Sequence, residues 1–191
     1  MSRKTEFNSE QTVNVVMQTF WEKGLSTTLS DIELDTGLNR SSLYNTFGNK
    51  EDLFQQAMLC YVDFLEDWIR KNFNNYAFKD FLKAILHDAG NDNFEGKGCL
   101  FYNCLIVVGK TSPKIKETMN ISYSRIRNIF ENRILSAKKN NEIKTKISTT
   151  AYATIIMATI AGIRSFNLSG IAKEDLQHAT DLAYVQLSQL I

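Results

Sequence analysis

The chain has 191 residues, and its 43% hydrophobic and 23% charged content is ordinary for a folded globular protein. Global disorder is therefore excluded. The 22 Lys and Arg residues nearly balance the 21 Asp and Glu residues, and the net charge of +1 excludes a uniformly basic nucleic-acid coat. One proline in the whole chain is typical of long helices joined by few turns, so we predict an all-α protein.

Composition also restricts the chemistry and the compartment. Residues 1–30 lack the uninterrupted apolar core of a signal peptide, and the apolar stretch at 151–163 is too short to span a bilayer. Three cysteines cannot form a closed set of disulfides, so we expect reduced thiols in a cytoplasmic protein without membrane contact. Two histidines and no Cys-x-x-Cys pair predict no metal site, and no cofactor is expected. The absence of a catalytic motif argues against an enzyme.

Apolar periodicity, capping residues and glycines divide the chain into nine predicted helices. Thr28 with Asp31, and Asn49 with Asp52, have the three-residue spacing at which a cap and a first-turn carboxylate satisfy each other's backbone N–H groups. Glycines follow several segments, where a helix end favours a residue that tolerates positive φ. The first eight predicted ranges are about 9–23, 29–36, 40–47, 50–74, 77–89, 99–108, 114–137 and 148–167, and a last helix follows Gly170 and includes residues 176–190.

We predict two regions, a head of three helices at residues 1–48 and a larger helical body at residues 49–191. The fourth helix joins them. The eighth helix is apolar on nearly every side, which predicts that it is buried all round. The last helix is expected to place one apolar stripe against the body, formed by Leu176, Ala179, Ala183, Leu187 and Leu190.

The second and third predicted helices have the spacing of a helix-turn-helix. Both are short, about three residues including Gly37 join them, and a helix with a strong apolar stripe precedes them. In that motif the second helix of the pair enters the major groove of DNA. The same spacing also occurs in helical proteins that bind no DNA, so spacing alone leaves both interpretations open.

The polar surface of the third helix carries the candidate DNA contacts. Leu43 and Phe47 lie four residues apart and face the core, which leaves the opposite side free. Arg40 offers a donor fork to guanine or phosphate, and Asn45 can pair with adenine. Lys50 adds a cation at the start of the fourth helix, where a phosphate is favoured. The predicted contact set is Thr27, Thr28, Arg40, Ser41, Ser42, Tyr44, Asn45 and Lys50.

Residues 37–51 read Gly-Leu-Asn-Arg-Ser-Ser-Leu-Tyr-Asn-Thr-Phe-Gly-Asn-Lys-Glu. With the preceding Phe-Trp-Glu-Lys-Gly run, they closely resemble the DNA-binding head of TetR-family transcriptional regulators, over about the first 55 residues without a gap. The resemblance implies that Tyr44 and Lys50 touch phosphates. It also implies that the positions facing bases or nearby backbone are Arg40, Ser41, Ser42 and Asn45.

One residue departs from the family pattern. Glu33 stands where a small or apolar residue is common in the family. Its carboxylate is either exposed to solvent or alters the packing of the second helix, and the sequence leaves both alternatives open.

The resemblance implies a homodimer formed through the last two helices, about residues 148–190. Two heads held in this way would read a pseudo-palindromic operator in double-stranded DNA. Ordinary burial within one chain is the alternative interpretation of these apolar helices. The eighth helix contains small residues that permit close helix packing, namely Ala153, Ala158, Ala161, Gly162 and Ser165.

The resemblance also implies an effector pocket among the middle helices. Pockets of this kind are mainly apolar with a few polar groups. The candidates are otherwise ordinary core residues, and that alternative also stays open. They are Tyr61, Leu65, Trp68, Phe101, Met119 and Tyr123.

Cys99 is a candidate redox sensor. It lies at the predicted start of the sixth helix, near Lys97, where the helix dipole and a cation favour a thiolate. The Gly-Cys-Leu run at 98–100 recurs in a subgroup of the family in which some members are thought to sense oxidants or electrophiles. The alternative is a small, buried, unreactive side chain.

Residues 110–146 are strongly basic, with ten Lys or Arg and three Asp or Glu. This segment forms either a solvated face or a surface that attracts an anion.

Two functions remain in competition. The leading hypothesis is a dimeric regulator, a repressor released from DNA when a small molecule, an oxidant or an electrophile acts on the body. The alternative is a DNA-bound factor whose body recruits another protein and binds no effector. An exposed apolar patch in place of a pocket would favour that alternative.

Overall fold

The computed structural model describes residues 9–91, 94 and 96–191. Over these ranges the chain forms nine α-helices and two short 3-10 turns, at Gly24–Ser26 and Val108–Lys110, and no strand. The helices are α1 (Ser9–Lys23), α2 (Leu29–Thr36), α3 (Arg40–Phe47), α4 (Lys50–Phe73), α5 (Phe78–Gly90), α6 (Leu100–Leu105), α7 (Pro113–Lys139), α8 (Thr149–Leu168) and α9 (Lys173–Ser188). The all-α prediction is confirmed.

Local capping explains why the helices of the head begin where they do. The Thr28 hydroxyl accepts the Asp31 N–H at 3.2 Å, and the Asp31 carboxylate accepts the Thr28 N–H at 2.7 Å. Hydrogen bonds from the Lys23 ammonium and the Thr28 hydroxyl hold the pKa of the Asp31 carboxyl well below its usual range. Asn49 and Asp52 form the same reciprocal arrangement at the start of α4. Both predicted capping boxes are therefore confirmed.

The head and the body share one continuous hydrophobic core. Phe20 of α1 packs edge-on against Phe54 of α4, with ring centroids 5.3 Å apart. Ile32 of α2 and Leu43 of α3 are completely buried against them. α4 contacts α1 on one side and α7 on the other, so it is the element through which a change in the body can reach the head.

Polar contacts join the head to the body and hold the start of α4 against α7. The Trp21 indole N–H donates to the Gly98 carbonyl at 3.2 Å. The Lys114 ammonium, in the first turn of α7, pairs with Asp52 in the capping box of α4. This pairing and the Asn49 N–H lower the pKa of the Asp52 carboxyl.

The prediction that α8 is buried all round is wrong. Its inner face packs against α5, α7 and α9, with Tyr152, Ile156 and Ile160 buried. Its other face is open: Ile155 is 45% exposed and Phe166 is 54% exposed. A helix with apolar residues on every side does not show by sequence alone which of its faces the same chain covers.

The predicted stripe of α9 also needs correction. Leu176 and Leu187 are buried as expected, but Thr180 lies between them in place of Ala179, which is exposed. Leu190 lies beyond the end of the helix and is exposed. Leu182 and Val185 extend the open apolar surface from α8 onto α9.

One described helix, α8, is long and apolar enough to cross a membrane by length and composition alone. The apolar stretch at 151–163, which is too short to span a bilayer, is only part of this helix, because α8 has 20 residues. Its Arg164 is buried and pairs with Asp88 of α5 at 3.0 Å. Core helices of globular proteins satisfy the same length and composition criteria, and α8 packs against three helices of its own chain.

Candidate nucleic-acid interface

The head presents one polar face of α3 to solvent. Leu43 and Phe47 are buried, and they fix the opposite face outward. Ser42 is half-buried, and its N–H donates to the Asn39 side-chain oxygen at 2.8 Å. This hydrogen bond caps the N-terminus of α3. The side chains on the outer face are exposed, namely Arg40, Ser41, Tyr44 and Asn45.

The first turn of α3 is held by a residue whose role the sequence left open. The Glu33 carboxylate accepts the Arg40 N–H at 2.7 Å and lies 3.5 Å from the Arg40 guanidinium. The Glu33 carboxylate is therefore neither a charge without a partner at the surface nor a group inserted into the packing of α2. It satisfies a backbone donor that the Asn39 cap does not reach, and it gives Arg40 an ionic partner.

Lys50 lies beside this surface, at the first residue of α4. Its ammonium donates to the Leu25 carbonyl at 3.3 Å, which holds it against the 3-10 turn before α2. It keeps two further N–H donors and remains partly exposed. Thr28 is exposed at the start of α2. Its hydroxyl is engaged in the capping box with Asp31.

Thr27 does not belong to the contact surface, and this part of the predicted set is corrected. Its side chain is completely buried, and its hydroxyl donates to the Gly24 carbonyl at 2.7 Å. The hydroxyl thus closes the turn between α1 and α2. The sequence could not distinguish it from Thr28, because both are hydroxyl residues at a helix start.

The six predicted effector contacts do not form an open pocket. Tyr61 and Phe101 are completely buried, and Met119 and Leu65 are nearly so. They belong to the core, the alternative that the sequence had left open. Only Trp68 and Tyr123 are partly exposed, and the Tyr123 hydroxyl lies 3.4 Å from the Thr154 hydroxyl.

A cleft of about 450 Å³ lies elsewhere, between α4 and α7, and none of the six residues lines it. Ile69, Phe73, Phe81 and Ile129 contribute its apolar lining. The Arg133 guanidinium stacks over the Phe81 ring, 4.8 Å from its centroid. The other eight lining residues are polar or charged, so this cleft is more polar than the mainly apolar pockets typical of small-molecule sites.

The arginines of the cleft differ in their partners. Arg70 pairs with Asp67, and Arg125 pairs with Asp63 and Glu66. Arg133 instead donates to backbone carbonyls, to Tyr76 O at 2.5 Å and Asn74 O at 3.4 Å. It pairs with no carboxylate in the described part of the chain.

Half of the ten basic side chains at 110–146 contact other groups of the protein. Lys114 and Arg125 pair with carboxylates of α4, and Arg127 pairs with Glu131 one turn along α7. Lys138 donates to the Ile147 carbonyl at 3.2 Å. The segment is therefore best described as a solvated face with internal ion pairs.

Cys99 is buried, 3% exposed, and its sulfur accepts a hydrogen bond from the Tyr61 hydroxyl at 3.0 Å. Lys97 does not accompany it, because the Lys97 ammonium pairs with Glu22 at 3.1 Å. Cys99 is also the residue before α6, a helix of only six residues. The structure thus supplies neither the solvent access nor the cationic neighbour on which the redox-sensor prediction depended.

The arrangement of α1 to α3, with a polar α3 face backed by a hydrophobic core, is that of a helix-turn-helix head. Residues 15–57 match the sequence model of the family described as "Bacterial regulatory proteins, tetR family". This match covers most of the head and the start of α4, and it shows that this region is similar to the DNA-binding head of that family.

Several known proteins are similar to this chain over most of its length. An uncharacterized HTH-type transcriptional regulator of Bacillus subtilis, YezE, is 26% identical over 148 residues, covering 75% of this chain and 76% of the relative. The Escherichia coli HTH-type transcriptional repressor ComR is 22% identical, covering 91% of this chain and 86% of the relative. A cysteine mutant of the TetR family regulator CifR, complexed with 26-bp operator DNA, shares the fold with TM-score 0.76 and 18% identity, covering 95% and 98% of the chains.

Proposed function

We propose that this protein is a homodimeric repressor that binds a pseudo-palindromic DNA operator through α3. The observation that carries the proposal is the exposed polar face of α3, fixed outward by the buried Leu43 and Phe47. The proposed contacts to bases or nearby backbone are Arg40, Ser41, Ser42 and Asn45, with Tyr44, Lys50 and Thr28 on phosphates. The operator complex of CifR supports this mode of binding, and the repressor name of ComR supports the sign of regulation.

Selection of bound fragments from random double-stranded DNA tests the DNA-binding role. A dimer with heads about 34–36 Å apart should select two inverted half-sites one helical turn apart. Asn45→Ala should then relax the preference at one or two base pairs of each half-site by about 1–3 kcal/mol. An equal loss on every sequence would contradict base reading by Asn45. Failure of the unaltered protein to select any sequence would refute the operator proposal.

The open surface of α8 and α9 is the proposed dimer interface. Ala151, Ile155, Ala158 and Gly162 follow one another at helical spacing on the exposed side of α8. The exposed Leu182 and Val185 of α9 add to this surface. Pairing two copies would bury apolar area that the single chain leaves in water, which favours association.

Sedimentation at several protein concentrations tests this interface. Ile155→Glu should shift the protein to monomer, because dimer formation would bury a carboxylate without a partner. Leu135→Glu places the same charge on an exposed leucine of α7 and should leave the dimer intact. A dimer that survives Ile155→Glu and dissociates with Leu135→Glu would place the interface elsewhere.

The cleft between α4 and α7 is the proposed effector site. A ligand that binds better when α4 has moved would compete with DNA by linkage, and a coupling of about 1–3 kcal/mol changes DNA affinity about 5–150-fold. α4 suits this role because it contacts α1 of the head and α7 of the body. An apolar compound with one anionic group would match the apolar lining and the guanidinium of Arg133.

A metabolite panel scored by thermal stabilisation and by DNA release tests the effector site. Ile129→Trp, which fills the cleft, should abolish both responses to an active compound while DNA binding remains. If the response survives this change, the effector binds elsewhere. Oxidation at Cys99 is the second candidate signal, favoured by the family resemblance alone, because the described structure buries the thiol.

Recruitment of another protein without an effector remains the second candidate function. The observation that favours it is a run of exposed apolar residues that begins at the last residue of α6, namely Leu105, Ile106 and Val107. A panel that yields no ligand, together with DNA release on addition of a protein partner, would select this alternative.

A further inference from the structure

The contact between Glu33 and Arg40 joins the two helices of the helix-turn-helix. Glu33 is in the second turn of α2, and Arg40 is the first residue of α3. One carboxylate oxygen accepts the Arg40 N–H at 2.7 Å, and the other lies 3.5 Å from the Arg40 guanidinium. The two bonds use different parts of Arg40. The backbone bond holds the carboxylate in place even when the side chain moves to a new partner.

This geometry places a fixed negative charge beside the base-reading end of α3. The N-terminal residues of a recognition helix are the ones that contact base edges. The Arg40 side chain is 55% exposed, so it is free to reach DNA, whereas the Glu33 side chain is 29% exposed. Any anion that approaches the Arg40 guanidinium therefore also approaches the Glu33 carboxylate.

The carboxylate affects the two kinds of DNA acceptor differently. A phosphate carries a full negative charge and is repelled by Glu33, whereas guanine O6 and N7 are neutral acceptors and are repelled little. Neutralisation of Arg40 by Glu33 also removes the counterion release that an arginine–phosphate contact would provide. Repulsion from an unwanted partner is one of the ways in which a protein gains specificity.

We propose that Glu33 is a specificity-determining positioning residue. Its carboxylate disfavours contacts between Arg40 and DNA phosphates and thereby favours contact between Arg40 and a base. This inference rests on the proposed function, since it requires α3 to bind DNA. It assigns a role to the residue at which this chain departs from the family pattern.

Glu33→Gln is the decisive variant, because the side-chain carbonyl can still accept the Arg40 N–H while the charge is removed. Binding to random-sequence DNA should become stronger at low salt. The plot of log affinity against log salt should steepen by about 0.9 for each half-site, or about 1.8 for a dimer. When salt is raised from 50 to 200 mM, the variant should therefore lose about 12-fold more affinity for random DNA than the unaltered protein. The ratio of operator to random-DNA affinity should fall.

Glu51→Gln is the matched control. It makes the same charge change in the first turn of α4, and Glu51 has no contact with Arg40 in the described structure. Its salt slope should equal that of the unaltered protein. The double variant Glu33→Gln with Arg40→Ala should lose the extra slope, since the released guanidinium is its source.

Arg40→Ala alone gives a second measurement that does not depend on the folding of the Glu33 variant. It should leave the salt slope on random DNA unchanged and reduce affinity for the selected operator. The inference is overturned if Glu33→Gln leaves slope and selectivity unchanged, if Glu51→Gln changes them equally, or if Arg40→Ala flattens the random-DNA slope. A protein that selects no operator would instead overturn the proposed function.

Discussion

The buried ion pair between α5 and α8 gives the strongest stability prediction. The Arg164 guanidinium lies 3.0 Å from the Asp88 carboxylate, and the two side chains are 9% and 6% exposed. Arg164→Met keeps an apolar side chain of similar reach and removes the charge. The Asp88 carboxylate then loses the opposite charge of the guanidinium inside the core, where a charge without its counter-ion is costly.

The size of the effect follows from the protonation of Asp88. Without Arg164 the folded protein avoids a buried charge by protonating Asp88, which raises its pKa above the unfolded value of about 3.9. At pH 7 that protonation costs about 4 kcal/mol, because each of the roughly three pH units between the unfolded pKa and pH 7 contributes 1.36 kcal/mol. At pH 5 it costs about 1.5 kcal/mol. The value at pH 7 lies within the roughly 3–5 kcal/mol typical of removing one partner of a buried pair.

The sign of the pH dependence is therefore fixed. In the variant the folded state binds a proton that the unfolded state has released, so stability falls as pH rises above about 4. Urea unfolding at pH 5 and pH 7 measures the difference from the unaltered protein. The loss of unfolding free energy should be about 2.7 kcal/mol larger at pH 7 than at pH 5. An additional Asp88→Asn change should remove this pH dependence. A loss of equal size at both pH values would refute the reasoning.

Two other predictions concern the interface and the thiols. Lys50→Ala should weaken binding to every DNA sequence and flatten the salt slope by about one unit for each half-site; a loss confined to one sequence would contradict a phosphate contact. Alkylation of the native protein, followed by mass spectrometry over time, should modify the half-buried Cys60 before Cys99 and Cys104. Burial raises the pKa of the Cys104 thiol to about 12, which makes it the least reactive at neutral pH. Modification of Cys99 first would restore the redox-sensor hypothesis.

The sequence predicted those features that depend on neighbouring residues. The reciprocal caps of α2 and α4 join residues three apart, so the spacing of Thr28 with Asp31, and of Asn49 with Asp52, was sufficient. The boundaries of α3 were predicted correctly for the same reason, since Asn39 begins the helix and Gly48 ends it. The inward direction of Leu43 and Phe47 followed from helical periodicity.

The partner of Glu33 could not be predicted in this way. Seven residues and a turn separate Glu33 from Arg40, and the turn determines whether the carboxylate reaches the backbone N–H. Thr27 and Thr28 were likewise equivalent in sequence until the 3-10 turn buried one hydroxyl and exposed the other. Cys99 had a plausible helix-end position, but only the packed structure showed that the Tyr61 hydroxyl covers it.

The sequence by itself determined the helices, their caps and the resemblance of the head to TetR-family regulators, because these depend on short-range spacing and on a motif of about 50 residues. Tertiary structure alone decided which apolar surfaces are covered. Four of the six residues expected to line a pocket are buried in the core. The cleft lies instead between α4 and α7, and one face of α8 is exposed to solvent. Burial of an apolar side chain lowers the free energy of the folded state, but hydrophobicity alone does not determine which neighbouring residues bury it.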